Sequence, residues 1–324
     1  MTSKFDDLEK IASWNRILKN SSTGTIFITP TWQEIWVNNY KPQSDIYLEI
    51  VQKDGIDLGV VPLMDTNGRL SFIGDSDVYD YMDFPVLNGY ESLFYESAAE
   101  MIQSLKWENL KLESIPEDSP TLKLLPQFFS PNNFEVVITE SDCTPLLQLP
   151  NNWDDYQLNL RKKDRHELRR KIRRLESSHS FKQFRCDLNS NSLEMYMNTF
   201  FNLMAQSRED KGEFLTDLNK SFFKELAKIF SYQDSFNLYF LELDEQIVAA
   251  CICFEYEDQV LLYNSGYNPE FSSLSVGLIN KAFTIKESIE NEMKVYNFLR
   301  GTERYKYHLG AQDKLVMDLS ITRL

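Results

Sequence analysis

Phe236-Asn237-Leu238-Tyr239-Phe240-Leu241-Glu242-Leu243 opens a series of three apolar runs, continued by Gln246 to Phe254 and Gln259 to Ser265. Asp244-Glu245 and Glu257-Asp258 mark the turns, and turns that short between such runs predict an antiparallel meander. Behind it lie the bend Tyr263-Asn264-Ser265-Gly266-Tyr267-Asn268-Pro269 and the serine-rich Ser272-Ser273-Leu274-Ser275-Val276-Gly277. Leu278, Ile279, Ala282, Phe283, Ile285 and Ile289 then give a helix a wide apolar face. A further strand, Lys294 to Leu299, runs into Arg300-Gly301-Thr302-Glu303-Arg304-Tyr305-Lys306. A meander handed on to a helix and another strand is an α+β pattern.

The first half repeats this order without repeating the residues. Leu8, Ile11, Ala12, Trp14 and Leu18 mark one helix, and Thr29 or Thr31 caps a second that has Pro30 in its first turn. Ile46 to Val51 and Ile56 to Leu63 read as strands joined at Lys53-Asp54-Gly55, with Leu70 to Ile73 beside them. Glu91 to Leu105 follows as a helix, Leu110 to Ile115 as a strand, Thr121 to Phe129 as a helix and Phe134 to Ile138 as a strand. Pro145 to Pro150, with Asn151-Asn152, is the best boundary. In the second half, Leu168, Ile172 and Leu175 give a basic helix one buried stripe, and Lys314 to Ile321 forms a closing strand. A chain of 324 residues suits two domains, here 1–150 and 151–324.

The net charge of −15 argues against a general nucleic-acid binder. It is unevenly spread. From Arg161 to Arg174 nine residues are basic and two acidic, which leaves 25 basic against 47 acidic elsewhere. A cationic strip on an acidic body suits either a local anionic partner or a solvated helix face. Cys143, Cys186, Cys251 and Cys253 form no C-x-x-C cluster and read as buried thiols, so no metal is expected. Met1-Thr2-Ser3-Lys4-Phe5-Asp6-Asp7 lacks the pattern of a signal peptide, and no run approaches the roughly 20 apolar residues of a membrane span. The expectation is a cytoplasmic protein.

Several residue groups can carry chemistry. Backbone N–H groups at the helix start behind Ser272 and Ser275 would favour a phosphate, although both serines serve equally as caps. Gly266 would let backbone approach a ligand, and Gly277 would let a bulky group lie close. Acylating an amine needs a base, a donor to the carbonyl oxygen and an acid for the leaving group. Glu303 suits the base, Lys306 the charge stabiliser, and Tyr267, Tyr305 or Tyr307 the acid; an exposed Glu–Lys pair is the alternative. His308 is a further base candidate. Asp80-Tyr81-Met82-Asp83 offers carboxylates and phenols to an ammonium or a sugar, or forms a solvated turn.

These stretches resemble the GNAT-type acyltransferases with two tandem domains, related to the FemAB peptidoglycan-bridge ligases. The similar segments run in order along the chain. They are Thr29-Pro30-Thr31-Trp32 with Trp36, Asp80 to Asp83, Leu160 to Lys163 and Arg169 to Glu176, Arg208 to Gly212, Leu262 to Pro269, and Phe298 to Lys306. The resemblance implies two tandem GNAT folds, each a mixed, largely antiparallel sheet flanked by helices in three α/β layers, the first degenerate or acceptor-binding and the second donor-binding and catalytic. It implies an N-acyltransferase acting on an amine of an amino sugar, amino acid or cell-envelope precursor. Acyl-CoA or acetyl-CoA would then pair through its pantetheine along Tyr263, Ser265 and Gly266, with its pyrophosphate at Ser272, Ser275 and Gly277. Glu303, Lys306, Tyr267 and Tyr305 would be catalytic, with Asp80, Tyr81, Asp83, Trp32 and Arg300 facing the acceptor. The family's pyrophosphate loop, Q/R-x-x-G-x-G/A, is absent, since Ser272 to Gly277 keeps one glycine. FemAB relatives use aminoacyl-tRNA, for which the 161–174 helix is a suitable contact. A third reading is a non-catalytic module that uses this scaffold to bind an anionic partner.

Overall fold

The computed structural model describes residues 5–188 and 192–324. The expectation drawn from Met1 to Lys4 lies outside the described residues. In chain order the elements are α1 (Leu8–Leu18), α2 (Pro30–Tyr40), β1 (Asp45–Lys53), β2 (Ile56–Thr66), β3 (Arg69–Phe72), α3 (Glu91–Ser104), β4 (Asn109–Pro116), α4 (Pro120–Leu124) and β5 (Phe134–Cys143). They continue with β6 (Leu146–Gln148), α5 (Trp153–Asn159), α6 (Lys162–Ser178), β7 (Phe181–Arg185), α7 (Leu193–Ser207), α8 (Glu209–Phe214) and α9 (Asp217–Ser231). Then come β8 (Phe236–Leu243), β9 (Gln246–Tyr256), β10 (Gln259–Tyr267), α10 (Val276–Glu290), β11 (Val295–Asn297), α11 (Arg304–His308) and β12 (Leu315–Arg323).

The chain divides into two compact units, Met1–Cys143 with Lys314–Leu324, and Thr144–Asp313. The expected cut at residue 150 therefore moves, and the last strand changes sides. β12 pairs antiparallel with both β4 and β5, burying Val316, Leu319 and Ile321, and so completes the first unit's sheet. Conversely, Leu146 to Gln148 is not linker: it pairs with β11 and forms an edge of the second sheet. Such long-range pairing leaves no local mark in a sequence.

In the first unit the strand order is β1-β2-β3-β4-β12-β5. The β1–β2 turn uses Asp54 and Gly55, both at positive φ, as a tight hairpin requires. Thr29 caps α2 by accepting from the Trp32 N–H at 3.3 Å, with Pro30 in the first turn. The core is aromatic, built around Trp14, Phe27, Trp32, Tyr79, Phe84, Phe94 and Tyr95.

In the second unit the order is β6-β11-β10-β9-β8-β7. The β7–β10 meander is antiparallel, and α10 carries the chain over to β11, which lies parallel to β10. The α6 stripe behaves as its spacing dictates: Leu168 and Leu175 are buried and Ile172 packs beside them. Both units share one plan, a mixed sheet flanked by helices with a helical crossover before a parallel strand (α3 in the first unit, α10 in the second).

Candidate active site

β10 and β11 pair only from Gln259–Val295 to Leu261–Asn297, and β10 then runs on to Tyr267 without β11 beside it. Where the two strands part, the second unit holds a cavity of about 700 Å³. β10 lends it Ser265 and Tyr267, and the start of α10 lends Ser275, Gly277 and Lys281. α6 lends Lys163, Asp164 and Lys171, and Arg208 and Lys211 line it as well. The segment after β11 supplies Glu303, Arg304, Tyr305 and His308.

Glu303 and Lys306 sit at the start of α11 with unequal roles. Lys306 is 1% exposed; its Nζ donates to the carbonyls of Leu299 at 2.9 Å, Arg300 at 2.7 Å and Gly301 at 2.8 Å. That turn contains two positive-φ residues, Leu299 and Gly301, and the ammonium pins it. The same Nζ lies 3.0 Å from Glu303 Oε2. Lys306 does not line the cavity, whereas Glu303 does. Burial alone would raise the Glu303 pKa, but the charge of Lys306, and of Lys211 beyond it, holds it below the ordinary carboxylate value. Glu303 is thus an ionised carboxylate facing the cavity, and Lys306 positions it.

Tyr305 lines the same cavity. Burial first, then the Glu303 charge, hold its phenol well above its ordinary pKa, so it stays a hydrogen-bond donor. His308 Nδ1 lies 2.8 Å from Asp164 Oδ1, a carboxylate-oriented imidazole in the cavity wall. Tyr267 lies against Gly277, where an added Cβ would come within 3.2 Å of its ring. Tyr307 and Arg300 do not line the cavity, although Lys306 grips the Arg300 carbonyl.

The residues expected to bind a donor separate into two groups. Ser265, Ser272, Ser275 and Gly277 line the cavity. The Ser275 hydroxyl makes no cap; it accepts from Lys171 Nζ at 2.6 Å, which ties the basic helix to the start of α10. Tyr263 instead packs against Phe223 and Phe254, and Gly266 faces the α7 backbone, where an added Cβ would collide with Leu203 and Met204. The close approach that needs a glycine at 266 is therefore a helix, not a ligand. On the β10 edge, the Ser265 N–H donates to Asn264 Oδ1 at 2.9 Å, and the Ser265 carbonyl accepts from Lys211 Nζ at 2.7 Å.

Arg208, Lys211, Lys281 and Asp164 are cavity residues that no motif in the sequence assigned to a role. Lys281 had a signal: at three after Leu278 and four before Ile285, it falls on the apolar face of α10.

In the first unit the expected acceptor contacts do not form a common surface. Trp32 is fully buried against Phe27 and Tyr79, and Asp83, 2% exposed, accepts from Thr121 Oγ1 and from the Phe84 N–H at 2.8 Å. A substrate could not reach either side chain as they stand. Tyr81 is buried and Asp80 half-buried. All four cysteines are free and buried. Among the described residues no group of three His, Cys, Asp or Glu is arranged to hold a metal, and no helix is long and apolar enough to cross a membrane.

Residues 162–307 match the family model described as an acetyltransferase (GNAT) domain. The matched residues fall wholly within the second unit. Its match spans both the basic helix and the Glu303 segment, and so includes most of the cavity wall. No curated protein matches the chain. Among solved structures, FemX is similar with a TM-score of 0.65 at 13% identity, covering 95% of each chain. A conserved protein of unknown function from Bacteroides thetaiotaomicron gives 0.66 at 11%, covering 96% of this chain and 97% of that one. L-PGS from Bacillus licheniformis gives 0.59 at 10%, with 97% and 91% covered. At these identities the likeness is one of fold, and it extends beyond the residues matched by the family model to nearly the whole chain.

Proposed function

We propose that the protein is an N-acyltransferase that works in the cavity of its GNAT domain, on an amine of an amino sugar, amino acid or cell-envelope precursor. The observation that carries this reading is the meeting of Glu303, Tyr305 and a set of cations in the opening between β10 and β11. As the C–N bond forms and the donor's C–S or C–O bond breaks, Glu303 accepts a hydrogen bond from the attacking amine, Tyr305 donates to the acyl oxygen, and His308 with Asp164 takes the amine's proton and passes it to the leaving thiolate or alkoxide. A carboxylate held below its ordinary pKa is a poor proton acceptor but a good ammonium anchor, which favours this division of labour.

For the donor, the match to an acetyltransferase domain supports acyl-CoA, its phosphates lying near Lys163, Lys171 and Ser275. One observation favours a second reading, an aminoacyl-tRNA donor. An extended amide chain such as pantetheine adds to a free strand edge, yet on β10 Asn264 and Lys211 already take the N–H and carbonyl of Ser265. The exposed cations of α6 suit a polyanion.

Calorimetric titration with acetyl-CoA, with free CoA as control, separates the two at two salt concentrations. One-site binding supports the thioester donor. Failure of both CoA species, with binding of aminoacyl-tRNA that falls steeply with salt, supports the ester donor. Binding of neither class, with no acylated amine formed, would remove the acyltransferase reading.

A further inference from the structure

Lys211 on α8 and Lys281 on α10 face one cavity from different elements. Lys281 is 6% exposed; its Nζ donates to the Gly277 carbonyl at 3.2 Å and stands 4.7 Å from the Tyr305 ring centroid. Lys211 Nζ donates to the Ser265 carbonyl at 2.7 Å and Asn264 Oδ1 at 3.2 Å. Every acceptor is neutral. Among the described residues neither ammonium has a carboxylate oxygen within 4.0 Å, because Glu303 is engaged by Lys306 at 3.0 Å and approached by Arg208 at 3.9 Å.

Two ammonium groups taken out of water without a counterion are costly unless a ligand supplies one. Burial first, then the neighbouring Lys281 charge, bring the Lys211 pKa down to about 8, with the Glu303 charge opposing them. The donor count shows that such an anion could be held. An ammonium has three protons; Lys211 spends two on Ser265 and Asn264, and Lys281 spends one on Gly277. The three protons left, one on Lys211 and two on Lys281, suffice to hold both oxygens of a carboxylate.

We infer that Lys211 and Lys281 form a carboxylate-binding pair, so that a ligand of this cavity carries a carboxylate close to its reacting group. The inference deepens the proposed function and rests on its assignment of the cavity. The carboxylate belongs either to the acceptor, as in an amino acid or peptide, or to a dicarboxylic acyl group on the donor.

Trace labelling of the whole protein with acetic anhydride, read lysine by lysine by peptide mass mapping, tests it without turnover. Glycylglycine stands for a carboxylate-bearing amine and succinate for a diacid acyl group, with glycinamide and inorganic phosphate as controls. The expected result is at least a threefold drop in labelling of Lys211 and Lys281 with one carboxylate probe and no change at Lys53. Whichever probe protects identifies the source. In Lys281→Met, a nearly isosteric change, protection of Lys211 should be lost. Equal protection by glycinamide, tighter protection by phosphate, or none by either carboxylate at tens of millimolar would overturn the inference. Protection without any acyl transfer would keep the pair and discard the transferase reading; transfer indifferent to carboxylates would do the reverse.

Discussion

Lys306 Nζ lies 3.0 Å from Glu303 Oε2 while it also holds three successive carbonyls, Leu299 to Gly301. One buried ammonium thus fixes both the turn after β11 and the direction of the carboxylate that the turn presents to the cavity. Conservative substitutions should separate these roles. Glu303→Gln keeps shape and removes charge, so transfer should fall by about 100-fold or more while the melting temperature changes little. Lys306→Met leaves buried carbonyls without a donor and should cost about 2–4 kcal/mol of stability as well as activity. Melting curves and rates on both variants check this. Equal stability for the two would refute the division.

Asp83 makes the first unit sensitive to pH. Burial is the largest influence and raises its pKa, hydrogen bonds from Ser119, Thr121 and the Phe84 N–H oppose it, and the net value is about 6. Since the folded value lies above the ordinary 3.8, the folded state holds the proton more tightly. Its stabilising effect is complete below about pH 4 and is lost as pH rises through 6. Asp83→Asn keeps an acceptor for Thr121 and removes the charge. It should stabilise the protein by about 1–3 kcal/mol at pH 7, and by little at pH 4. Denaturant titrations at both pH values would show this.

Gly266→Ala should cost at least 2–3 kcal/mol, because the new methyl meets the α7 backbone, which no side-chain rotation can relieve. Gly277→Ala meets only the Tyr267 ring at 3.2 Å and should be milder, altering ligand binding more than folding. Parallel melting and titration experiments distinguish them. A Gly266→Ala protein as stable as wild type would mean that α7 does not approach β10 as described.

Lys211, with its pKa near 8, gives ligand binding an alkaline limit. Only the protonated amine attracts an anion, so affinity for an anionic ligand should weaken as pH rises through 8 to 9, by at most tenfold per unit. Lys211→Met should bind more weakly at pH 7 and lose this dependence.

Much of this architecture was legible in the sequence because its signals are local. The β8–β10 meander announces itself by apolar runs and two-residue turns, and α10 by its apolar face. The strand exchange was hidden, since nothing in Leu315 to Arg323 says that its partners lie near residues 110 and 138. At the site, motif residues led to Glu303, Tyr305 and Ser275, all of which line the cavity. Asp80-Tyr81-Met82-Asp83 misled for a physical reason: a run of carboxylates and phenols reads as a polar surface, yet Asp83 is sealed among hydroxyls and aromatic rings. Lys211 and Lys281 escaped because a lysine's burial depends on the elements around it.

Hydrogen exchange of the intact protein, with and without acetyl-CoA and with and without aminoacyl-tRNA, tests the central claim most directly. The account predicts slowed exchange in the segments 163–171, 265–278 and 303–309 with one of the two donors. Protection confined to other segments, or unchanged exchange with both donors at saturating concentration, would contradict an acyl-donor site between β10 and β11.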